Sequence, residues 1–310
     1  MYFPFRLLFV VLVLTTLGAR AADVAPPPTH ADIRYGPHER NRLDLWLPAV
    51  KAPAPLVVYI HGGGFIQGDK AKAREQKLIQ QCLDAGVAFA AVNYRFLAPD
   101  VPLQSILRDC ARAIQFLRNQ SSAWNLDPAR VAVSGSSAGA GTALWLAFHD
   151  DLADPKNPDP VLRESTRIAC AVALSTQFSY NFPRWIEVFG TEAASRYGLR
   201  YQSPGVYGFA TAAELQSPAG RAVLAECDML ALLSSDDPPV FLYNKLPAGD
   251  VTDNSHFLHH PRHAQLIYER ARELGVGAIA DLTAYDLSPP TGGPRTARDF
   301  LFLHLRVTRP

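Results

Sequence analysis

The sequence has no surplus of charge of either sign: 30 Lys and Arg stand against 29 Asp and Glu, for a formal net charge of +1, with no block of like charges. Nucleic acids and other polyanions draw their affinity from clustered Lys and Arg, so no such partner is expected. Long apolar runs are missing too. The run from Leu7 to Leu14 is shorter than the roughly 20 residues that span a bilayer, so stable membrane insertion is not expected. It follows Arg6 and precedes a small-residue Ala19-Arg20-Ala21 site. That is the pattern of a cleavable leader over 1–22, and it predicts a secreted or periplasmic protein. There is no phosphate loop and no dinucleotide fingerprint, so no cofactor is expected. Cysteine is scarce, and Cys82, Cys110, Cys170 and Cys227 lack zinc or redox spacing. Export permits disulfides, but Cys82 and Cys110 fall in amphipathic helical stretches and Cys170 in an apolar strand, which suits buried free thiols.

What is present is a chain of 310 residues with 48% hydrophobic and 19% charged side chains, the balance of one soluble globular domain over 23–310. Ala25-Pro26-Pro27-Pro28 is a stiff spacer. Short alternating runs at 32–35 and 42–47 predict antiparallel edge strands. Continuous apolar runs at 55–60, 87–92, 130–133, 168–174, 239–243 and 276–282 predict strands buried on both faces. Helical patterns lie at 70–85, 102–119, 137–148, 261–274 and 296–305. This alternation predicts an α/β fold with a mostly parallel central sheet and helices on both faces. Two stretches break the rhythm: 150–160 is a proline and aspartate loop, and 175–235 is long, rich in aromatics and without clean periodicity. The second reads either as a cap shaping a pocket or as a structural insertion.

Two motifs carry chemistry. Gly135-Ser136-Ser137-Ala138-Gly139 fits G-x-S-x-G, directly after a strand and at the start of a helix. A serine on that sharp turn needs small neighbours and holds its hydroxyl above the sheet, which makes Ser137 the candidate nucleophile. His61-Gly62-Gly63-Gly64 follows the strand ending at Ile60. Glycine amides there can stabilise the oxyanion of a tetrahedral intermediate, with Gly63, Gly64 and Ala138 as the expected donors.

With these motifs the chain resembles the esterases of the hormone-sensitive lipase and bacterial feruloyl-esterase-like groups of the α/β-hydrolase fold. The resemblance also rests on Tyr35-Gly36-Pro37, Leu43 to Pro48, Val92-Asn93-Tyr94-Arg95, Asp109 and Asp127-Pro128-Ala129-Arg130-Val131. It implies an α/β-hydrolase fold with a cap, in which Asn93, Arg95 and Asp109 are structural. It also implies carboxylic ester hydrolysis by acyl transfer, on a small-molecule or carbohydrate-linked ester. Asp236-Asp237-Pro238-Pro239-Val240 resembles the entry to the strand whose following loop holds the triad acid, which puts the acid at Asp253, with Asp250 as the alternative.

The resemblance fails at one point. Relatives carry a glycine-flanked histidine after the last strand, whereas this chain has Thr283 to Gly293 with no histidine. His304, inside the closing helical pattern, reads as a packing residue. A serine hydroxyl is a poor nucleophile without a base, so either another base serves or the site is impaired. The segment 253–263 holds His256, His259, His260 and His263. If Pro261 opens a helix, the residues before it lie on a loop at the sheet's C-terminal edge. The expected base is therefore His260, with His259 and then His256 as alternatives. The cluster can also be read as a capping segment or as a metal site, although Pro261 interrupts any helical face joining His259 to His263. A ligand-binding protein without catalysis is the competing expectation.

Overall fold

Strands buried from both sides need helices on both sides, and the chain supplies them. The computed structural model describes residues 25–75, 77–198 and 200–307, so the leader expected over 1–22 lies outside the described residues. Eight strands form one sheet in the order β1-β2-β4-β3-β5-β6-β7-β8. They are β1 (His30–Arg34), β2 (Arg42–Trp46), β3 (Ala54–Ile60), β4 (Ala88–Val92), β5 (Leu126–Ser136), β6 (Ala171–Leu174), β7 (Val240–Asn244) and β8 (Ala278–Leu282). β1 and β2 run antiparallel at one edge, and from β4 to β8 every pairing is parallel. This is the α/β-hydrolase architecture expected from the sequence.

The helices are α1 (Leu78–Asp84), α2 (Leu103–Asn119), α3 (Ala138–Phe148), α4 (Trp185–Tyr197), α5 (Ala212–Leu215), α6 (Pro218–Glu226), α7 (Met229–Leu232), α8 (Asn254–His259), α9 (Arg262–Glu273) and α10 (Ala297–His304). Every residue of β3 and β4 is buried. Because side chains alternate along a strand, Leu56, Val58 and Ile60 join one core with α2 and α3, while Val57 and Tyr59 join a second with α1 and α10. The four cysteines are buried and free. No described helix is long and apolar enough to cross a membrane.

Two elements differ from the sequence reading. The helix expected over 70–85 begins as a tight turn, Lys70–Glu75, before α1. The Arg74 carbonyl accepts from the amide of Ala25 in the proline spacer, so it is diverted from helical pairing. The histidine segment expected to be loop contains α8. Residues 175–235 hold α4 to α7, and most of their aromatics pack on one another: Trp185 lies 5.0 Å from Phe182 and 6.3 Å from Phe189 between ring centres.

Candidate active site

β5 delivers Ser137 at the C-terminal edge of the sheet, beside the end of β3, because Ile60 and Gly135 are register partners in parallel strands. Ser137 has φ 54° and ψ −123°, a conformation that costs a non-glycine residue on the order of 1–3 kcal/mol. The fold around it enforces this turn. A Cβ on Gly139 would lie 2.0 Å from the Ile60 carbonyl oxygen, and one on Gly135 would lie 2.1 Å from the Gly139 oxygen. The Ser137 amide is tied to the Leu174 carbonyl at 2.9 Å.

From the end of β3, Gly63 (φ 121°) and Gly64 (φ 59°) turn back beside Ser137. Among the described residues the amides of Gly63, Gly64 and Ala138 bond to no acceptor, and all three residues line the cavity that holds Ser137. His61 is not part of this opening. It is fully buried, its Nδ1 is 2.7 Å from the Gly62 carbonyl, and its ring stacks on Tyr94 at 4.3 Å. Burial pushes its pKa down to about 4. Asn93 and the Arg95–Asp109 pair also serve the frame. Asn93 binds Asp69 at 2.7 Å, and Arg95 grips Asp109 through two bonds of 2.8 and 2.7 Å.

The hydroxyl of Ser137 meets an imidazole, that of His259, with Oγ and Nε2 2.7 Å apart. The sequence places the base on His260, and the structure puts its neighbour there instead. The chain leaves the helix between the two histidines, with His260 at ψ 135°, so their rings diverge and one of them faces the serine. His259 ends α8 and points at Ser137, whereas His260 leaves the helix and directs Nε2 to the Gly249 carbonyl at 3.0 Å. His256 likewise holds the Pro247 carbonyl at 3.0 Å. His263 is fully buried, with Nε2 3.1 Å from the Phe257 carbonyl. Three of the four imidazoles therefore pin the chain, and one faces Ser137. Among the described residues no group of three or more His, Cys, Asp or Glu converges as a metal site would.

The carboxylates are elsewhere. Asp253 is the N-cap of α8 and accepts from the His256 amide at 2.8 Å, a bond that holds its pKa below the usual range. Asp250 lines two neighbouring clefts rather than the one containing Ser137. Among the described residues no carboxylate bonds to His259. Its Nδ1 lies 3.5 Å from Ser255 Oγ, one helical turn back. Burial of the ring lowers the His259 pKa, and the proximity of Ser255 opposes that shift.

What places this helix is a set of side chains at its C-terminal end, where carbonyls lack helical partners. Asn244, fully buried at the end of β7, donates Nδ2–H to the His259 carbonyl at 2.7 Å. Gln177 donates to the Leu258 carbonyl at 2.8 Å, and His263 serves the Phe257 carbonyl. Meanwhile the segment after β8, where the family resemblance led a histidine to be expected, turns back on its own strand through bonds between Leu282 and Leu287 of 2.9 and 3.2 Å.

The cavity measures about 480 Å³. Phe65, Ile66 and Leu258 give it apolar walls, and Gln67, Asn254 and Ser255 give it polar ones. From 175–235 it takes Gln177, Tyr180, Phe182, Arg200 and Tyr201. That stretch thus walls the pocket while also burying its own aromatic cluster.

Comparison with known proteins follows the same outline. A family profile described as BD-FAE matches residues 43–177, which include both glycine motifs and stop short of α8. A probable isoprenylcysteine alpha-carbonyl methylesterase of Arabidopsis thaliana is 30% identical over 171 residues, 55% of this chain and 35% of that protein. Esterase LipI of Mycobacterium tuberculosis is 30% identical over 153 residues, 46% of this chain and 47% of that protein. The chain thus spans less than half the length of these relatives. Among solved structures, an acetyl ester-xyloside bifunctional hydrolase from Caldicellulosiruptor lactoaceticus superposes with a TM-score of 0.62 at 20% identity, covering 83% of this chain and 86% of that one. A truncated carbohydrate esterase from gut microbiota gives 0.66 at 13% identity, covering 92% and 98%. These likenesses show the fold.

Proposed function

We propose, from the premise that this chain belongs to the α/β-hydrolase superfamily, in its hormone-sensitive lipase and feruloyl-esterase-like group of esterases, that it is a serine hydrolase of carboxylic esters working through a Ser137–His259 dyad. The observation that carries this reading is the 2.7 Å contact between Ser137 Oγ and His259 Nε2 at the mouth of a walled cavity. With its proton on Nδ1, towards the Ser255 hydroxyl 3.5 Å away, His259 leaves Nε2 bare towards Ser137. Burial disfavours the imidazolium, which keeps His259 a base at neutral pH.

His259 takes the Ser137 proton as Oγ attacks the ester carbonyl carbon. The amides of Gly63, Gly64 and Ala138 hold the resulting oxyanion. His259 then passes its proton to the departing alkoxide, leaving an acyl-enzyme, and water repeats the sequence to release the acid. Ser255 stands beside Nδ1 where a triad carboxylate would stand, but it supplies no negative charge to stabilise the imidazolium. A lower turnover than that of a full triad follows.

A cavity of about 480 Å³ suits a small ester and falls within the roughly 300–1,000 Å³ of ligand pockets. Its mixed walls, with the carbohydrate esterase among its structural neighbours, favour a small or carbohydrate-linked ester. The leader pattern supports action outside the cytoplasm. The test is hydrolysis of p-nitrophenyl acetate by the wild type and by Ser137→Ala. Loss of activity in the variant is expected, and unchanged hydrolysis would refute the assignment. That no described carboxylate bonds to His259 favours a second reading, a ligand-binding protein on a hydrolase frame, which predicts no turnover by either form.

A further inference from the structure

We propose that Tyr201, carried by the cap, is a catalytic residue whose phenolic hydroxyl donates a further hydrogen bond to the oxyanion formed at Ser137. This rests on the serine-hydrolase reading above and adds a side chain to its backbone donors. The placement comes from Gly64. A Cβ at that position would lie 2.7 Å from Tyr201 Oη, so the hydroxyl occupies the space that the missing side chain leaves over one of the oxyanion amides. Any other residue at 64 would meet both this hydroxyl and a φ of 59°.

The Tyr201 hydroxyl is also uncommitted. Two tyrosines line the cavity, and Tyr180 spends its O–H on the Ala138 carbonyl. Tyr201 Oη bonds to no other described residue, and it is not among the sealed polar atoms that lack partners. It therefore opens into the cavity with its proton available. The ring is held from behind by Phe182, 4.8 Å away, and only 8% of the residue is exposed. Burial raises its pKa, which keeps the phenol protonated at neutral pH. A neutral donor fixed beside the carbonyl oxygen gains most when that oxygen becomes an anion, because charge-assisted hydrogen bonds are about twice as strong as neutral ones.

The test is Tyr201→Phe, which keeps the ring on Phe182 and removes only the hydroxyl. The expected result is a roughly 10–100-fold fall in kcat for p-nitrophenyl acetate with KM little changed. An aryl trifluoromethyl ketone, which adds Ser137 Oγ to form a tetrahedral oxyanion, should lose affinity by the same factor. The melting temperature should stay at the wild-type value, which separates this effect from a packing defect. If the wild type hydrolyses the ester and Tyr201→Phe keeps both its kcat and its inhibitor affinity, the role of Tyr201 is overturned and Ser137 stands. A change confined to KM overturns it equally. If the wild type neither hydrolyses the ester nor binds the ketone, the serine-hydrolase reading fails and this inference falls with it.

Discussion

Asn244 and His259 are joined by a 2.7 Å hydrogen bond from the asparagine amide to the histidine's own carbonyl. The bond links the end of β7 to the last residue of α8. The family resemblance puts a triad acid in the loop after this strand. Here the strand ends in an amide that holds in place the helix carrying the proposed base.

Asn244→Ala should therefore weaken catalysis without touching the serine or the imidazole. The His259 carbonyl would lose its partner, and α8 would be free to shift. Stability should fall by about 1–3 kcal/mol, and kcat by roughly 10–100-fold, since a small misplacement of a reacting group is costly. Denaturant unfolding and steady-state kinetics on the same preparation check both numbers.

The two adjacent histidines should separate cleanly. His259→Ala removes the base and should lower kcat at least about a thousandfold. His260→Ala removes bonds to Gly249 and Arg262. It should cost stability of about 1–2 kcal/mol while leaving kcat within about threefold. The reverse ranking would show that the two histidines had been exchanged.

The pH profile reports on the partner of His259. Its pKa is lowered by burial, so the acid limb of kcat/KM should lie below the ordinary imidazole value of about 6.5. Ser255→Asp would set a carboxylate near Nδ1, which is now 3.5 Å from the serine hydroxyl. The limb should then move up, because a nearby negative charge favours the imidazolium. A limb that stays where it was would mean that Nδ1 does not face residue 255.

Stability should decline on mild acidification. Burial pushes His263 down to about 3 and His61 to about 4, so both are neutral in the folded chain. In the unfolded chain they titrate near 6.5. Their contribution is fully present above that value and is lost as pH falls towards 4 and then 3. Each withdraws about 1.4 kcal/mol per pH unit in that window. His149, where burial is outweighed by Glu226 and its pKa is raised, works in the opposite sense. Denaturant unfolding should show a net loss of a few kcal/mol between pH 7.5 and 5, and a shallower slope in His263→Gln.

The legible part of the site was the part dictated by close approach of backbones. Gly135 and Gly139 leave no room for a Cβ, so the elbow at Ser137 shows in the sequence as small residues at fixed spacing. The parallel sheet was legible because β3 and β4 are apolar on both faces. The proposed base was legible only as a cluster. α8 is six residues long, too short to show a helical period, so nothing in the sequence said which of two consecutive histidines would face the serine. Asp253 looked like a triad acid because it lies after β7, yet its carboxylate caps α8. An aspartate opening a short polar segment is a cap signal, and it was there to be read. Asn244 and Gln177 had no signal at all. Their role exists only because β7, the start of the cap and α8 meet in space.

The most direct test of the account is a fluorophosphonate probe on the purified protein, with the labelled residue mapped by mass spectrometry in the wild type, His259→Ala and His260→Ala. Rapid phosphonylation of Ser137 is expected in the wild type and His260→Ala, and a rate lower by orders of magnitude in His259→Ala. Labelling at another residue, or a Ser137 rate that ignores the loss of His259, would contradict it.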